Sequence, residues 1–484
     1  MPQHLTFNSF DYLLAFLPVV FVGYRLLMTT RYVNVWLCLA SLFFYATAGI
    51  YYLVPLVFTC VFDFLVGQRI GPSSAFVHRK ALFVASVAIQ IGLLATFKYA
   101  GWLTAESNAL FAWLGFGVAL PVLSLILPPG ISFYTFHTIS YTADIYRGKF
   151  KPHNSLVDYI TFVVFFPQLV AGPIARASDL LPQVAAKRPP ITWPQAESAL
   201  WLIVWGLLKK ICLADNFAHL VALTETNIRS GSPSAGAGLL FAYCFAGQIY
   251  CDFSAYTDIA RGSARLFNLE LTRNFRTPYF AASPSEFWTR WHISLSTWLR
   301  DYLYIPLGGD REGRFKTLRN LAITMFLGGL WHGAGIGFIA WGLYHGALLV
   351  IYRVGRVEER ILKVLGSRLG KTVAVVLFFH LVCVGWIFFR ATANEVVPLL
   401  ESIGRLAIGV SPDRQFMLDI GWGLVLFGAP LAVTEAAAYR RGVEFSDLYQ
   451  DWHWIAKAAM YVAIFYAIVF FGAREHNEFI YFQF

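Results

Sequence analysis

Two histidines lie in stretches of the chain that are otherwise apolar and aromatic. His332 belongs to the motif WHGAG at 331–335, and His292 belongs to the segment WTRWHISLSTWLRDYLY at 288–304. An imidazole titrates near neutral pH, so it can accept a proton and return it within one reaction. Because ionisable groups are costly at membrane depth, a histidine kept in such a setting predicts catalysis or proton handling.

A third histidine, His345, lies thirteen residues beyond His332. On one continuous helix the two would be ~20 Å apart and about 220° around the axis, so they could not act as a close pair. For His345 we keep two interpretations open: a packed helix residue that is hydrogen-bonded to a neighbour, or a functional group.

Composition places the chain in a membrane. Of its 484 residues, 57% are hydrophobic and only 14% are charged, whereas soluble domains carry about 25% charged residues. Apolar runs recur from end to end, so we predict a single integral-membrane domain over 1–484. The net charge of +10 is expected mainly in cytoplasmic loops that face anionic lipid, and no nucleic-acid signature stands apart from them.

The hydrophobic segments predict an all-α polytopic membrane protein with about 11 to 13 transmembrane or re-entrant helices. Basic loops at 311–319 and 353–371 are both expected in the cytoplasm. The segment 319–352 should then enter and leave on one side, with a break at the glycines after His332. Since 320–330 climbs only ~16 Å, His332 is predicted near the membrane midplane, at the tip of a re-entrant hairpin.

The segment 283–304 predicts one helix that begins at a capping box. Ser283 would be the N-cap, Pro284 the first helical residue and Glu286 the third. Aromatic residues recur at helical spacing from Trp288 onward, which is typical of a helix at the membrane interface. On this helix His292 is either an interfacial anchor or a residue at the cytoplasmic mouth of a cavity.

Other polar residues inside apolar runs predict structure more than chemistry. Asp252 and Asp258 are six residues apart on one predicted helix, so they lie on opposed faces and form no carboxylate pair. Hydrogen bonding between helices is the expected task of both. The six cysteines are scattered through apolar runs, which predicts small buried residues rather than disulfides or a zinc site.

Several long motifs carry a resemblance to a known family. They are PPGISFYTFHTISYTADIYRG at 128–148, FFPQLVAGPIAR at 165–176, YCDFSAYTDIARG at 250–262, the block 274–309, FLGGLWHGAGIGFIAWGLYHG at 326–346 and the terminal FIYFQF. Together they resemble the membrane-bound O-acyltransferase family over nearly the whole chain, within it most the branch of the bacterial alginate O-acetylation membrane subunits.

The resemblance implies acyl transfer through the membrane by a ring of tilted helices around a tunnel. The signature core would span 283–352, with His332 as the presumed catalytic residue and His292 as the family's other signature position. Transfer would run from cytosolic acetyl-CoA to an extracytoplasmic acceptor in exopolysaccharide or cell-wall O-acetylation. Residues expected to line the tunnel or support it are Trp288, Trp291, Trp331, Arg300, Asp252, Ser254 and Gln168.

The chemistry has its own physical argument. Transfer from a thioester to a hydroxyl needs a base near neutral pKa, and imidazole is the natural choice. A thioester is already activated, so we expect His332 to act as general base with no bound metal or cofactor. Trp331 could also exclude water that would hydrolyse the thioester.

The aromatic tail at 473–484 has the form F-x-Y-x-x-F at its end. It resembles the C-terminal motif of a small partner peptide in the D-alanylation system. We therefore predict that Tyr481 is a transient acyl acceptor or a docking point for an extracytoplasmic partner. The alternative is an aromatic anchor at the membrane interface.

Partners and location follow from the resemblance. A separate extracytoplasmic transferase of the SGNH-hydrolase type, a polysaccharide acceptor and the lipid of the bacterial inner membrane are expected, and nucleic acid is not. Two other functions stay open here: D-alanyl transfer to teichoic acid, and a proton-coupled transporter or flippase. A haem protein with His332 and either His345 or His380 as axial ligands is a further rival.

Overall fold

The computed structural model describes residues 5–71, 76–170, 172–473 and 478–482. Every regular element in these ranges is a helix, and none is a strand. The predicted all-helical class is therefore confirmed. The described residues group into two compact units, 1–203 with 259–272 and 204–258 with 273–484, while the single membrane domain over 1–484 stays a prediction.

The first unit is built on long apolar helices. Two helical segments are long and apolar enough to cross a membrane: Ile50–Arg69, a 3₁₀ turn continued by an α-helix, and Val77–Trp113, all but the first residue of an α-helix. A third, Ile131–Tyr146, is buried on all sides from Ile131 to Ile145, as expected of a helix enclosed by others. The α-helices of this unit are Leu17–Leu27, Val33–Ala46, Leu53–Arg69, Phe76–Trp113, Ile131–Tyr146, Leu156–Val164, Phe166–Leu169 and Ala177–Ala185.

The second unit holds both signature histidines. Four of its helices can cross a membrane by length and composition: Ile336–Gly355, Ser367–Arg390, Arg414–Arg441 and Trp454–Phe471. Its other α-helices are Asp215–Arg229, Pro284–Trp288, Ile293–Leu299, Arg314–His332, Val357–Leu365, Ala393–Ala407 and Phe445–Leu448, and π-helical turns lie at Lys209–Ala214 and Arg300–Tyr304. Residues of the helices Trp193–Leu208 and Ala237–Leu266 are divided between the units.

The break predicted after His332 is confirmed. Helix Arg314–His332 ends at the histidine, three residues follow, and helix Ile336–Gly355 begins. The two helices pack closely because Gly329 and Gly342 face each other, and a Cβ on Gly342 would lie 3.2 Å from the Gly329 Cα. The first helix has 19 residues, or ~28 Å, because it begins at Arg314, before the segment 320–330 whose length was estimated from the sequence. The position of His332 near the membrane midplane stays a prediction.

The prediction of one continuous helix over 283–304 is wrong. Helix Pro284–Trp288 ends after five residues, and a new helix begins at Ile293. His292 lies between them as an N-cap in the left-handed region, with φ 43°. The capping residues are as predicted in part: Ser283 accepts from the Glu286 N–H, but the Glu286 carboxylate accepts from Ala282. His292 therefore lies in the turn between two short helices and not on the face of one helix.

Candidate functional site

His332 lies at the end of its helix among aromatic rings, and it is 4% exposed. Its ring centroid is 5.0 Å from that of Trp341 and 5.3 Å from that of Phe389, both edge-on. The helix ends here because Gly333 has extended backbone. The imidazole is therefore fixed by aromatic packing at a point where the chain turns.

His292 lies 6.4 Å from His332 between ring centroids, although forty residues separate them in the chain. It is 0% exposed, so both interpretations drawn from an interfacial helix, an anchor or a residue at a cavity mouth, are wrong. Its Nδ1 and Nε2 have no hydrogen-bond partner among the described residues. Since buried polar atoms are normally paired, the two ring nitrogens keep hydrogen-bonding capacity that no described residue uses.

Tyr481 completes a triangle of rings with the two histidines. Its centroid is 5.6 Å from His332 and 6.5 Å from His292. It also packs at 4.7 Å against Phe253, which itself contacts His292 at 4.7 Å. The predicted terminal motif is thus described through Tyr481, while its last residue, Phe484, lies outside the described residues.

A cavity of about 190 Å³ reaches His332 from one side. The imidazole shares its wall with Trp288 and Trp341, and the wall extends to Arg300 and Tyr304. The Arg300 side chain is 59% exposed and pairs with Asp301 at 2.7 Å. His332 therefore faces a hollow whose wall runs from a buried ring to an exposed guanidinium.

The expected support residues fall into different places. Trp288 and Arg300 line the cavity. The ring centroid of Trp331 is 6.0 Å from that of His292, and the ring centroid of Trp291 is 4.9 Å from that of Trp386. Gln168 belongs to the first unit, where its amide nitrogen donates to the Phe162 carbonyl. Their roles in catalysis stay predictions.

Asp252 and Ser254 belong to a buried ionic network. Lys210 pairs with Asp252 at 3.0 Å and with Asp215 at 2.8 Å. The neighbouring Lys209 pairs with Asp258 at 2.7 Å and donates to Ser254 at 2.9 Å. The prediction that both aspartates bond between elements is confirmed, because each ties helix Ala237–Leu266 to the Lys209–Ala214 turn.

His345 is buried beside Trp341 and Trp288, at centroid distances of 4.9 and 5.4 Å. Neither ring nitrogen has a hydrogen-bond partner among the described residues. The interpretation as a packed residue holds, but the expected hydrogen bond to a neighbour is wrong. Trp341 separates it from His332 by contacting both rings.

Three site residues were not singled out from the sequence: Phe253, Trp341 and Phe389. Phe253 and Trp341 stand inside the motifs quoted above, next to Asp252 and nine residues after His332, so the motifs carried a signal. Phe389 is the next-to-last residue of the apolar helix Ser367–Arg390, and its residue type alone gave no signal. Within the described ranges, no group of three or more His, Cys, Asp or Glu is placed to hold a metal ion.

Comparison with known proteins gives the site its context. The model of the membrane-bound O-acyltransferase family matches residues 146–354, which include His292 and His332. A probable alginate O-acetylase of Pseudomonas aeruginosa is 40% identical over 81% of this chain and 73% of its own. A peptidoglycan O-acetyltransferase of Helicobacter pylori is 35% identical over 81% of this chain and 78% of its own.

A teichoic acid D-alanyltransferase of Bacillus subtilis is more distant, at 29% identity over 56% of this chain and 70% of its own. The two relatives above, with higher identity over more of the chain, are named as a probable alginate O-acetylase and a peptidoglycan O-acetyltransferase. Six long apolar helices in the described residues agree with a multi-pass membrane enzyme. The chain therefore belongs to the membrane-bound O-acyltransferase family.

Proposed function

We propose that this enzyme moves an acetyl group from cytosolic acetyl-CoA, through Tyr481, to an extracytoplasmic glycan acceptor. The observation that carries the proposal is the triangle of His332, His292 and Tyr481 rings. Tyr481 carries a hydroxyl group, and its ring lies beside a buried imidazole that borders a cavity.

The first chemical step uses His332 as general base. Its imidazole takes the proton of the Tyr481 hydroxyl while the phenolic oxygen attacks the thioester carbonyl carbon. The C–O bond forms, the C–S bond breaks, and the coenzyme A thiolate takes the proton back from the imidazolium. Aromatic packing around His332 excludes water, which protects the thioester from hydrolysis.

The second step regenerates the phenol. The hydroxyl of the next acceptor attacks the acetyl-Tyr481 ester, its proton passes to His332, and the Tyr481 oxygen leaves and takes that proton. His292 lies beside both rings, and its unpaired nitrogens can hold a hydroxyl or carbonyl oxygen of the reacting groups. No metal takes part in either step, because imidazole and an activated thioester supply the needed chemistry.

The cavity favours a donor that arrives from the cytoplasm. Its wall includes Arg300 and Tyr304, which precede the basic loop at 311–319 that we expect on that side. A lining that is apolar near His332 and ends at the Arg300 guanidinium suits a thioester arm whose phosphorylated end takes the place of Asp301 on that guanidinium.

The acceptor is proposed to be a polysaccharide or a cell-wall glycan, because the two more similar relatives are named for alginate and peptidoglycan. An extracytoplasmic SGNH-type transferase would take the acetyl group from Tyr481, and the enzyme would reside in the bacterial inner membrane. D-alanyl transfer ranks second, since the relative with that name is less similar. None of these relatives is named as a transporter or flippase.

Mass spectrometry of the C-terminal peptide tests the proposal. After incubation of the purified enzyme with acetyl-CoA, we expect the peptide that contains Tyr481 to gain about 42 Da, the mass that one acetyl group adds. At saturation, roughly one acetyl group should be found per chain. The adduct should be missing in His332→Ala. An unmodified Tyr481 in an enzyme that still consumes acetyl-CoA would contradict the relay.

A further inference from the structure

The tail that carries Tyr481 is held by a hydrogen bond to a side chain. The Ile480 main-chain N–H donates to the Asp252 Oδ2 at 2.7 Å. Phe479 and Ile480 are buried, and the ring centroid of Phe479 is 4.3 Å from that of Tyr256. The 3₁₀ turn Ile480–Phe482 is only three residues long, so its first N–H groups need partners from outside the turn.

Asp252 is itself fixed by a buried charge. Its Oδ1 pairs with the Lys210 Nζ at 3.0 Å, and Lys210, 1% exposed, also pairs with Asp215. A buried ion is stable only where its charge is paired and hydrogen-bonded. Lys210 therefore orients the Asp252 carboxylate so that one oxygen faces the ammonium and the other faces the tail.

We propose that Asp252, oriented by Lys210, is a positioning residue that docks the C-terminal tail and so places Tyr481 against His332. The next residue, Phe253, packs on both Tyr481 and His292. One turn of helix Ala237–Leu266 thus supplies both the polar anchor for the tail and the ring on which Tyr481 packs. The catalytic consequence rests on the proposed function, whereas the docking itself does not.

The chain supplies a matched control in Asp258. It lies on the same helix and also forms a buried ion pair, with Lys209 at 2.7 Å, but Asp252 is the carboxylate that accepts the Ile480 N–H. Asparagine has one oxygen and one NH₂ group, so at 252 it must turn a donor toward either Lys210 or Ile480, both of which are donors. Asp252→Asn and Asp258→Asn each weaken an ion pair, and only the first also loosens the tail.

The experiment measures tail docking and turnover in the full-length purified enzyme. Carboxypeptidase Y should remove residues through Tyr481 about tenfold faster from Asp252→Asn than from the unaltered enzyme or Asp258→Asn, as expected for loss of a charged hydrogen bond. The kcat for acetyl-CoA consumption should fall about tenfold with unchanged KM. Asp252→Glu, which keeps the carboxylate, should recover part of the resistance to carboxypeptidase Y and part of the kcat.

A second variant removes the donor instead of the acceptor. Ile480→Pro deletes the N–H but leaves the Lys210–Asp252 pair intact, and proline is tolerated at the start of a helical turn. It should release the tail with little change in melting temperature, which keeps the proposal testable if Asp252→Asn does not fold. Equal digestion rates and kcat values in Asp252→Asn and Asp258→Asn, or a protected tail in Ile480→Pro, would overturn it.

The two proposals fail separately. If Tyr481→Phe keeps full turnover while Asp252→Asn still exposes the tail, the acyl relay is wrong and the docking role of Asp252 stands. If Tyr481→Phe is inactive while both Asp252→Asn and Ile480→Pro keep a protected tail, the relay stands and the docking role is wrong.

Discussion

Two buried histidines, one in each unit, differ in their hydrogen bonds. In the first, the buried Asp63 accepts from Ser86 and Gln90 at 2.7 and 2.6 Å, and the buried His137 accepts from the Ala175 N–H at 3.3 Å. In the second, His292 is equally buried and has no partner for either ring nitrogen among the described residues.

Missing partners alone do not make a histidine functional, because His345 also lacks them for both ring nitrogens. A satisfied group such as Asp63 has repaid its loss of hydration within the fold, so it stabilises and positions helices. The two nitrogens of His292 lack such compensation among the described residues, and in the proposed mechanism the reacting groups supply it. Burial alone therefore does not identify a reactive histidine, since His137 is buried as fully as His292.

Replacement of His332 is the strongest test of this contrast. His332→Ala removes the proposed general base, so acetyl-CoA turnover should fall by about 10³-fold, within the usual range for such a group. His137→Ala is the matched control, because it should lower the melting temperature while the folded enzyme keeps its turnover. Turnover should be measured on protein with a cooperative melting transition, and unchanged turnover in His332→Ala would rule out the catalytic assignment.

The hydroxyl of Tyr481 gives the next largest effect. Tyr481→Phe keeps the ring packing on Phe253 but removes the acyl acceptor, so transfer to an extracytoplasmic acceptor should fall about 100-fold. Tyr12→Phe is its counterpart in the first unit, where the hydroxyl donates to Ser263 at 2.9 Å. That variant should lose only about 1 kcal/mol of stability. Similar transfer rates in the two variants would make Tyr481 an anchor and not an acceptor.

His292 should contribute less than His332, because it holds the reacting groups and does not take the proton. We expect both His292→Gly and His292→Ala to lower kcat about tenfold, as loss of one polar contact to the reacting groups. Glycine suits the left-handed backbone at φ 43°, whereas alanine costs about 1 kcal/mol there. The melting temperatures should therefore differ while the kcat values agree. Equal activity to the unaltered enzyme in the glycine variant would show that the ring is dispensable.

The sequence predicted the helical class and the break after His332, and it singled out the two histidines whose rings lie side by side. It did not predict that His292 leaves the helix, because the capping box and aromatic spacing fit one helix and the left-handed turn depends on tertiary packing. The sequence also could not place Tyr481 beside His332, because the two residues are 149 positions apart in the chain. That contact depends on Asp252, whose carboxylate looked structural from spacing alone.

The two helices that present His332 approach each other closely at a pair of glycines. A Cβ on Gly342 would contact the Met325 carbonyl and lie 3.2 Å from the Gly329 Cα, so Gly342→Ala must push the two helices apart. We expect a loss of about 1–3 kcal/mol of stability from this overpacking, and a several-fold lower kcat because His332 ends one of those helices.

Gly92 offers the comparison in the first unit. It lies within helix Phe76–Trp113, and a Cβ there would meet nothing within 4 Å. Gly92→Ala should therefore raise stability by about 0.5–1 kcal/mol, the usual gain from replacing a helical glycine. Thermal melting and acetyl-CoA turnover of both variants check this. If Gly342→Ala melts and turns over like Gly92→Ala, the close approach of the hairpin helices does not hold His332 in place.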